Sequence, residues 1–253
     1  MAHPIIAWPG GKRRLLKHLL SDIPTHTTYV EVFAGGAAML LAREPSKAEV
    51  LNDINGELVR LYRCVQHHLD ELVRQFRWAL TSREMFRWAQ LQNVETLTDI
   101  QRAARFYYLQ KLAFGGRATG QTFGIATAQP PRLNLLRMEE DLSQAHLRLA
   151  RVTIECLPWR ECIERYDTPG TLFFLDPPYW KTAGYGVQFG REQYDGLAEA
   201  MRTMQGKAVL TINDHPAMRE TFDGFRRQRV GIAYTPGGGH NAKQAGELIY
   251  RTW

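Results

Sequence analysis

The spacing of hydrophobic positions changes twice along the chain. Tyr29-Val30-Glu31-Val32-Phe33 reads as a strand, closed by the turn pair Gly35-Gly36 and followed by the helix formers Ala37 to Ala42. Ala48 to Leu51 reads as a second strand, ending at Asn52-Asp53-Ile54-Asn55 ahead of another helix. From Glu57 to Phe114 apolar residues recur at three- and four-residue steps, as in Leu69, Leu72, Val73 and Phe76, which predicts helices. Gly115 to Leu133 is rich in Gly, Thr, Gln and Pro and predicts an irregular loop or hairpin. After a helix at about Met138 to Leu149, alternation returns. Strands are predicted at Val152–Cys156, Thr171–Leu175 and Ala208–Ile212, with a long loop and a helix at Arg191–Met204 between the last two. Arg229–Ala233 and Glu247–Tyr250, around Gly237-Gly238-Gly239, read as an antiparallel strand pair.

Strands alternating with helices imply an α/β fold with an open, mostly parallel sheet and ligands at the carboxyl ends of its strands. The helical stretch is then an insertion. Residues 1–56 and 152–253 form the sheet domain, and residues 57–151 form a mainly helical inserted domain.

Composition narrows the class. At 253 residues, 44% hydrophobic and 23% charged, the chain is neither disordered nor fibrous. Its apolar runs stay short of the ~18 residues of a membrane span, and its first residues lack the apolar core of a signal peptide. Three cysteines (Cys64, Cys156, Cys162) with no CxxC pair argue against a disulfide framework or a cysteine zinc site, and for a cytoplasmic protein. Residues 60–151 hold fourteen basic and eight acidic side chains, which is the whole net charge of +6. A basic insert between neutral flanks fits a polyanion-binding module, and arginine suits phosphates and guanine edges. A solvated helical face is the plainer reading.

The sharpest chemical signal is Asp176-Pro177-Pro178-Tyr179, directly after an apolar strand. Two prolines cannot continue a strand, so the chain leaves the sheet there in a stiff turn. That turn offers a carboxylate, carbonyl oxygens and an aromatic face. Asp176 and the Pro177 carbonyl can accept the two hydrogens of an exocyclic amino group while Tyr179 stacks on its ring. The small-residue turn at Phe33-Ala34-Gly35-Gly36 permits close approach of a nucleotide, although it is not a G-x-G-x-x-G. Asp53, about 20 residues on, is placed either to accept from ribose hydroxyls or to cap the helix that follows. Trp8-Pro9-Gly10-Gly11-Lys12 offers an aromatic face and a cation on a flexible loop.

The ordered set W-P-G-G-K, F-A-G-G, N-D-I-N and D-P-P-Y resembles the DNA adenine methylase (Dam-type) family over nearly the whole chain. The resemblance implies a Rossmann-like S-adenosylmethionine methyltransferase sheet carrying a target-recognition insert at 57–151. It implies transfer of a methyl group to N6 of a flipped-out adenine in double-stranded DNA, without a metal. It implies cofactor contacts from Trp8, Lys12, Asp53 and Asp176, with Phe33, Gly35, Ile54, Glu155 and Cys156 around them. Asp176, Pro177, Pro178 and Tyr179 would position the adenine. Two departures stand out. Pro9 replaces the usual Ala and stiffens the first loop, and Phe114-Gly115-Gly116-Arg117 replaces Asn-Gly-x-x-Arg, which bears on the DNA sequence recognised.

For DNA contacts the residues to examine are Lys111, Arg117, Thr119 and Gln121, with Arg102 and Arg105 on the preceding helix and the basic loop His240–Lys243. The loop Trp180–Gly190, with Tyr185 and Phe189, reads as a lid over the base or as an exposed loop with two anchoring rings. Cys156 and Cys162 are expected to be packed. Length and charge leave monomer and homodimer both open. An RNA adenine methyltransferase and an inactive nucleic-acid-binding regulator are the alternatives in view.

Overall fold

A computed structural model describes residues 2–124, 133–182, 188–234 and 243–253. Its helices are α1 (Leu16–Leu20), α2 (Ala38–Ala42), α3 (Gly56–His67), α4 (Leu69–Arg74), α5 (Arg83–Leu91), α6 (Asp99–Leu112), α7 (Leu135–Leu149), α8 (Trp159–Tyr166), α9 (Arg191–Thr203) and α10 (Pro216–Thr221). Its strands are β1 (Thr28–Glu31), β2 (Ala48–Asn52), β3 (Val152–Glu155), β4 (Thr171–Leu175), β5 (Lys207–Asn213), β6 (Arg226–Tyr234) and β7 (Lys243–Arg251). The strands join in the order β3-β2-β1-β4-β5-β7-β6. The first five are parallel, and β7 runs antiparallel between β5 and β6. The mostly parallel α/β sheet with an antiparallel C-terminal pair is the architecture the alternation predicts, with β6 and β7 longer than expected.

Strand β4 shows why the sheet is central. All five of its residues are buried, with Leu172 and Phe174 in the core on one face and Phe173 and Leu175 in the core on the other. This is the pattern of a strand covered on both sides. Helices α8, α9 and α10 cover the second face, through residues such as Cys162, Leu197 and Met218. Helices α3, α4, α6 and α7 cover the first, so residues 57–151 share one apolar core with Tyr29, Leu51, Phe174 and Ile249 of the sheet.

The helical stretch breaks at caps its residues supply. Asn55 accepts from the amides of Glu57 and Leu58, Ser82 from Met85, and Thr98 forms a capping box with Gln101. Helices α8 and α10 were not expected from periodicity. α8 buries only Trp159, Cys162 and Ile163 among charged residues, and α10 starts on Pro216 with the His215 ring as its cap. The predicted hairpin is partly present: Ala113 and Phe123 form an antiparallel bridge.

Candidate active site

The carboxyl ends of β1, β2 and β4 meet at the point where strand order reverses, the usual ligand site of an open α/β sheet. A cavity of about 800 Å³ opens there, within the range of small-molecule sites. Four separated segments supply its walls: Trp8 to Lys12, Phe33 to Gly36, Asp53 to Asn55, and Asp176 with Pro178.

Each wall has a local cause. After β1 the chain must turn sharply, and Gly35 adopts φ +46°, with the Trp8 ring so close that a Cβ would lie 2.6 Å from its Cδ1. Glycine is required there on both counts. The hydroxyl of Tyr62 donates to the Gly35 carbonyl at 2.7 Å and pins the turn from α3. Asp53 bridges two walls. Its Oδ2 accepts from the Gly35 amide at 2.9 Å, and its Oδ1 from the Asn55 amide at 2.9 Å. Burial nonetheless raises its pKa, against those bonds. Asn55, not Asp53, caps α3, so the helix-cap reading of Asp53 gives way to one that keeps its carboxylate at the cavity.

Asp176 lies just beyond β4. Its Oδ2 is 2.7 Å from Nζ of Lys12, and its Oδ1 accepts from the Thr211 hydroxyl at 2.9 Å. Burial is the largest influence and raises its pKa, with Lys12 pulling the other way. Lys12 is 3% exposed. It also donates to the Gly10 carbonyl, and its ammonium stands 4.5 Å from the centroid of the Tyr179 ring. Tyr179 is buried rather than part of the cavity wall, and its hydroxyl donates to Glu247. The Pro178 carbonyl accepts from the Tyr194 hydroxyl at 2.6 Å, and Pro177 is buried.

Glu31, at the end of β1, also faces the cavity. It accepts from the Leu40 amide and the Tyr29 hydroxyl, and burial pushes its carboxyl up to about 8. Sequence reasoning passed over it. The only signal was a charged residue inside an apolar strand.

The remaining sequence-selected residues divide. Phe33 and Ile54 line the cavity, and Phe33 meets Phe189 edge-on with ring centroids 5.9 Å apart. Glu155 and Cys156 do not. Glu155 turns to the Tyr166 hydroxyl at 2.6 Å, Cys156 is exposed rather than packed, and Leu157, Pro158 and Trp159 take the wall instead. Cys162 is buried as expected.

Lys111 is in the last turn of α6 and lines the cavity, with its ammonium over the Tyr107 ring, rather than in the loop where DNA contacts were expected. Arg117 and Thr119 are exposed on the hairpin. Gln121 is engaged internally, donating to Gln110 and to the Arg117 carbonyl at 2.9 Å each. Arg102 and Arg105, candidates for phosphate contacts, have partners inside the protein. Arg102 is ion-paired to Glu57, and Arg105 donates to the Ala89 and Gln90 carbonyls across the gap to α5. Tyr185 lies outside the described residues, as does His240–Ala242 of the second basic loop. Among the described residues no helix is long and apolar enough to cross a membrane.

Comparison with known proteins agrees with this geometry. The chain is 29% identical over 227 residues to the type II methyltransferase M.CviBI of Paramecium bursaria Chlorella virus NC1A, covering 88% of this chain and 87% of that one. It is 25% identical to the retron Ec67 DNA adenine methylase of Escherichia coli, covering 97% and 90% of the two chains. The DNA adenine methylase of Haemophilus influenzae is 23% identical, with 90% and 86% covered. The DNA-directed reading is the one these likenesses support, over the RNA-directed and inactive ones. Residues 8–235 match the family model of D12 class N6 adenine-specific DNA methyltransferases, and the chain belongs to that family.

Proposed function

We propose that the cavity binds S-adenosylmethionine beside an adenine turned out of duplex DNA, and that Asp176 with the Pro177 carbonyl holds the adenine amino group. One observation carries this: four segments far apart in sequence bring Trp8, Lys12, Asp53 and Asp176 onto one cavity.

The residues present fit such a cofactor. The Asp53 carboxylate has about four acceptor sites, of which backbone amides of Gly35, Asn55 and Ile54 take up to three, so it can still accept from a ribose hydroxyl. The Gly35-Gly36 turn lets a nucleoside approach the backbone, and Lys12 supplies a cation for a carboxylate. Bound there, the cofactor supplies an electrophilic methyl group on a sulfonium.

Lys12 touches both the Asp176 carboxylate and the Tyr179 ring. Drawing Lys12 toward a ligand carboxylate releases the Asp176 oxygens and uncovers that ring, so the cofactor wall and the base wall are coupled through one ammonium. Freed, Asp176 and the Pro177 carbonyl accept the two amino hydrogens and favour a more tetrahedral nitrogen with an available lone pair. Tyr179 stacks on the base. The adenine must leave the helix stack to reach this site, at a cost of about a few kcal/mol. The segment 57–151 acts as the target-recognition region. Arg117 and Thr119 on its exposed hairpin are the DNA contacts that best fit the geometry, with Lys111 at the junction with the cavity.

The test uses purified protein, S-adenosylmethionine and unmethylated genomic DNA, digested to nucleosides and analysed by mass spectrometry, with total RNA alongside. N6-methyldeoxyadenosine from the wild type and none from Asp176→Ala is the expected outcome. Wild-type turnover by Asp176→Ala would remove the tetrapeptide from the mechanism, and methylated adenosine in RNA alone would move the substrate.

A further inference from the structure

Besides Lys12, side chains from three other elements hold the segment Asp176–Trp180. Thr211 of β5 binds Asp176, Tyr194 of α9 binds the Pro178 carbonyl, and Asn213 of β5 takes both backbone groups of Trp180, at 2.9 and 3.1 Å. The remaining one is Glu247 of β7, whose carboxylate accepts the Tyr179 hydroxyl. Glu247 is 2% exposed and stands opposite Asn213 in the β5–β7 register. The proposed reaction does not use it, and it is not on the cavity wall.

A carboxylate in that position is expensive. Its neighbours Leu248, Ile249 and Tyr250 are all buried, and an apolar side chain at 247 would avoid the desolvation of a charge. What an apolar side chain could not do is grip a phenol. Phenol-to-carboxylate bonds are among the short, strong, directional ones. The contact anchors the far end of the Tyr179 ring, whose plane the O–H prefers to share, and pushes electron density toward the ring face on which Lys12 rests.

We propose that Glu247 is a positioning residue for methyl transfer. By accepting the Tyr179 hydroxyl, it sets the plane of the ring against which the target adenine stacks. This rests on the reading of Tyr179 as the base-stacking residue. It also gives the antiparallel strand β7 a part in the reaction, because that strand carries the carboxylate to the far side of the catalytic turn.

The experiment is a double-mutant cycle on the full chain, with kcat, the KM for S-adenosylmethionine and the KM for unmethylated genomic DNA measured beside Tm. Glu247→Ala is expected to lower kcat by about tenfold to a hundredfold, as for a lost hydrogen bond to a charged group, with the cofactor KM unchanged. Glu247→Gln, which keeps an acceptor, should recover most of that loss. In a Tyr179→Phe background Glu247→Ala should cost no further kcat, since the bond it removes is already gone. Equal losses in both backgrounds would show that Glu247 only supports the fold, and an unchanged kcat in Glu247→Ala would overturn the proposal outright. Should Glu247→Ala fail to fold, Glu247→Gln and Glu247→Leu in the same cycle give the same decision. Tyr179→Ala separates the two levels. Near wild-type activity there would remove the stacking role itself, whereas an inactive Tyr179→Ala beside a fully active Glu247→Ala would remove only Glu247.

Discussion

The turn at 176–180 lies at the cavity, the hairpin at 113–124 follows the helix whose Lys111 lines it, and the two are held in opposite ways. Nearly every bond on the turn reaches far along the chain: Lys12, Thr211, Asn213 and Glu247 are all at least 33 residues from their partners in it. The hairpin is held mostly from nearby. Phe114 donates to the Thr122 carbonyl, Gly124 to the Leu112 carbonyl, and Gln121 to Gln110 and Arg117. Its ties to the rest of the molecule are few, chiefly Gln90 of α5 donating to the Gln121 carbonyl at 2.9 Å and Phe123 meeting Phe86 edge-on. A loop fixed by distant partners cannot change without disturbing the sheet. A loop fixed by its own residues can exchange its exposed side chains, such as Arg117 and Thr119, and leave the chemistry alone.

The largest expected effect lies on the turn. Asp176→Ala should lower methyl transfer by at least about a hundredfold, the scale of losing one preorganised group at a reacting centre, while the protein remains folded by circular dichroism. On the opposite wall, Asp53→Ala should raise the KM for S-adenosylmethionine by about tenfold or more, because charged hydrogen bonds are lost, with kcat changed far less. An equal fall in kcat would place Asp53 at the reaction instead of at the ribose.

The hairpin should respond differently. Arg117→Ala is expected to cost about 1–3 kcal/mol of binding concentrated at one position of the recognised site, read by competition among duplexes differing at single base pairs. A uniform loss on every sequence would make it a phosphate contact. Arg102→Ala gives a smaller and contrasting result. Because that guanidinium is committed to Glu57 and Glu95, the salt dependence of DNA binding should keep its slope while Tm falls. A slope reduced by about one unit would return Arg102 to the phosphates.

Glu31 offers the mildest probe, through pH. Its carboxyl titrates near 8 in the folded protein, well above an unfolded glutamate. Between about pH 4.5 and 8 the folded state therefore holds a proton that the unfolded state has lost, and stability falls as pH rises through that window. Glu31→Gln, which cannot ionise, should flatten this part of the stability profile. An unchanged slope would mean that Glu31 is ionised in the fold.

The strands, the order of the motifs and the residues of the turn were legible because each is a local pattern: an apolar run, a glycine pair, two consecutive prolines. What could not be read was pairing. Thr211 and Glu247 look like ordinary strand residues until the sheet brings them to Asp176 and Tyr179, 35 and 68 residues away. The internal partners of Arg102 and Arg105 were hidden for the same reason. Their charge was visible, whereas Glu57, 45 residues from Arg102, and the carbonyls of α5 were not visible as partners. Glu155 and Cys156 fell one or two residues short of the cavity wall, which begins at Leu157, because a strand end fixes position only to a residue or two.

The placing of β7 between β5 and β6 has a consequence in time. Both apolar layers of the sheet include residues from this strand, Ile249 on one side and Leu248 and Tyr250 on the other. A nascent chain leaving the ribosome can pair β1, β2, β3, β4 and β5 as they emerge, but β6 has no neighbour to pair with until β7 begins at residue 243. Throughout that interval the edge of β5 lies open to any other strand, the condition under which partly made sheets aggregate. The growing chain carries the Asp176–Tyr179 turn for some seventy residues of synthesis before the strand that completes the sheet is finished.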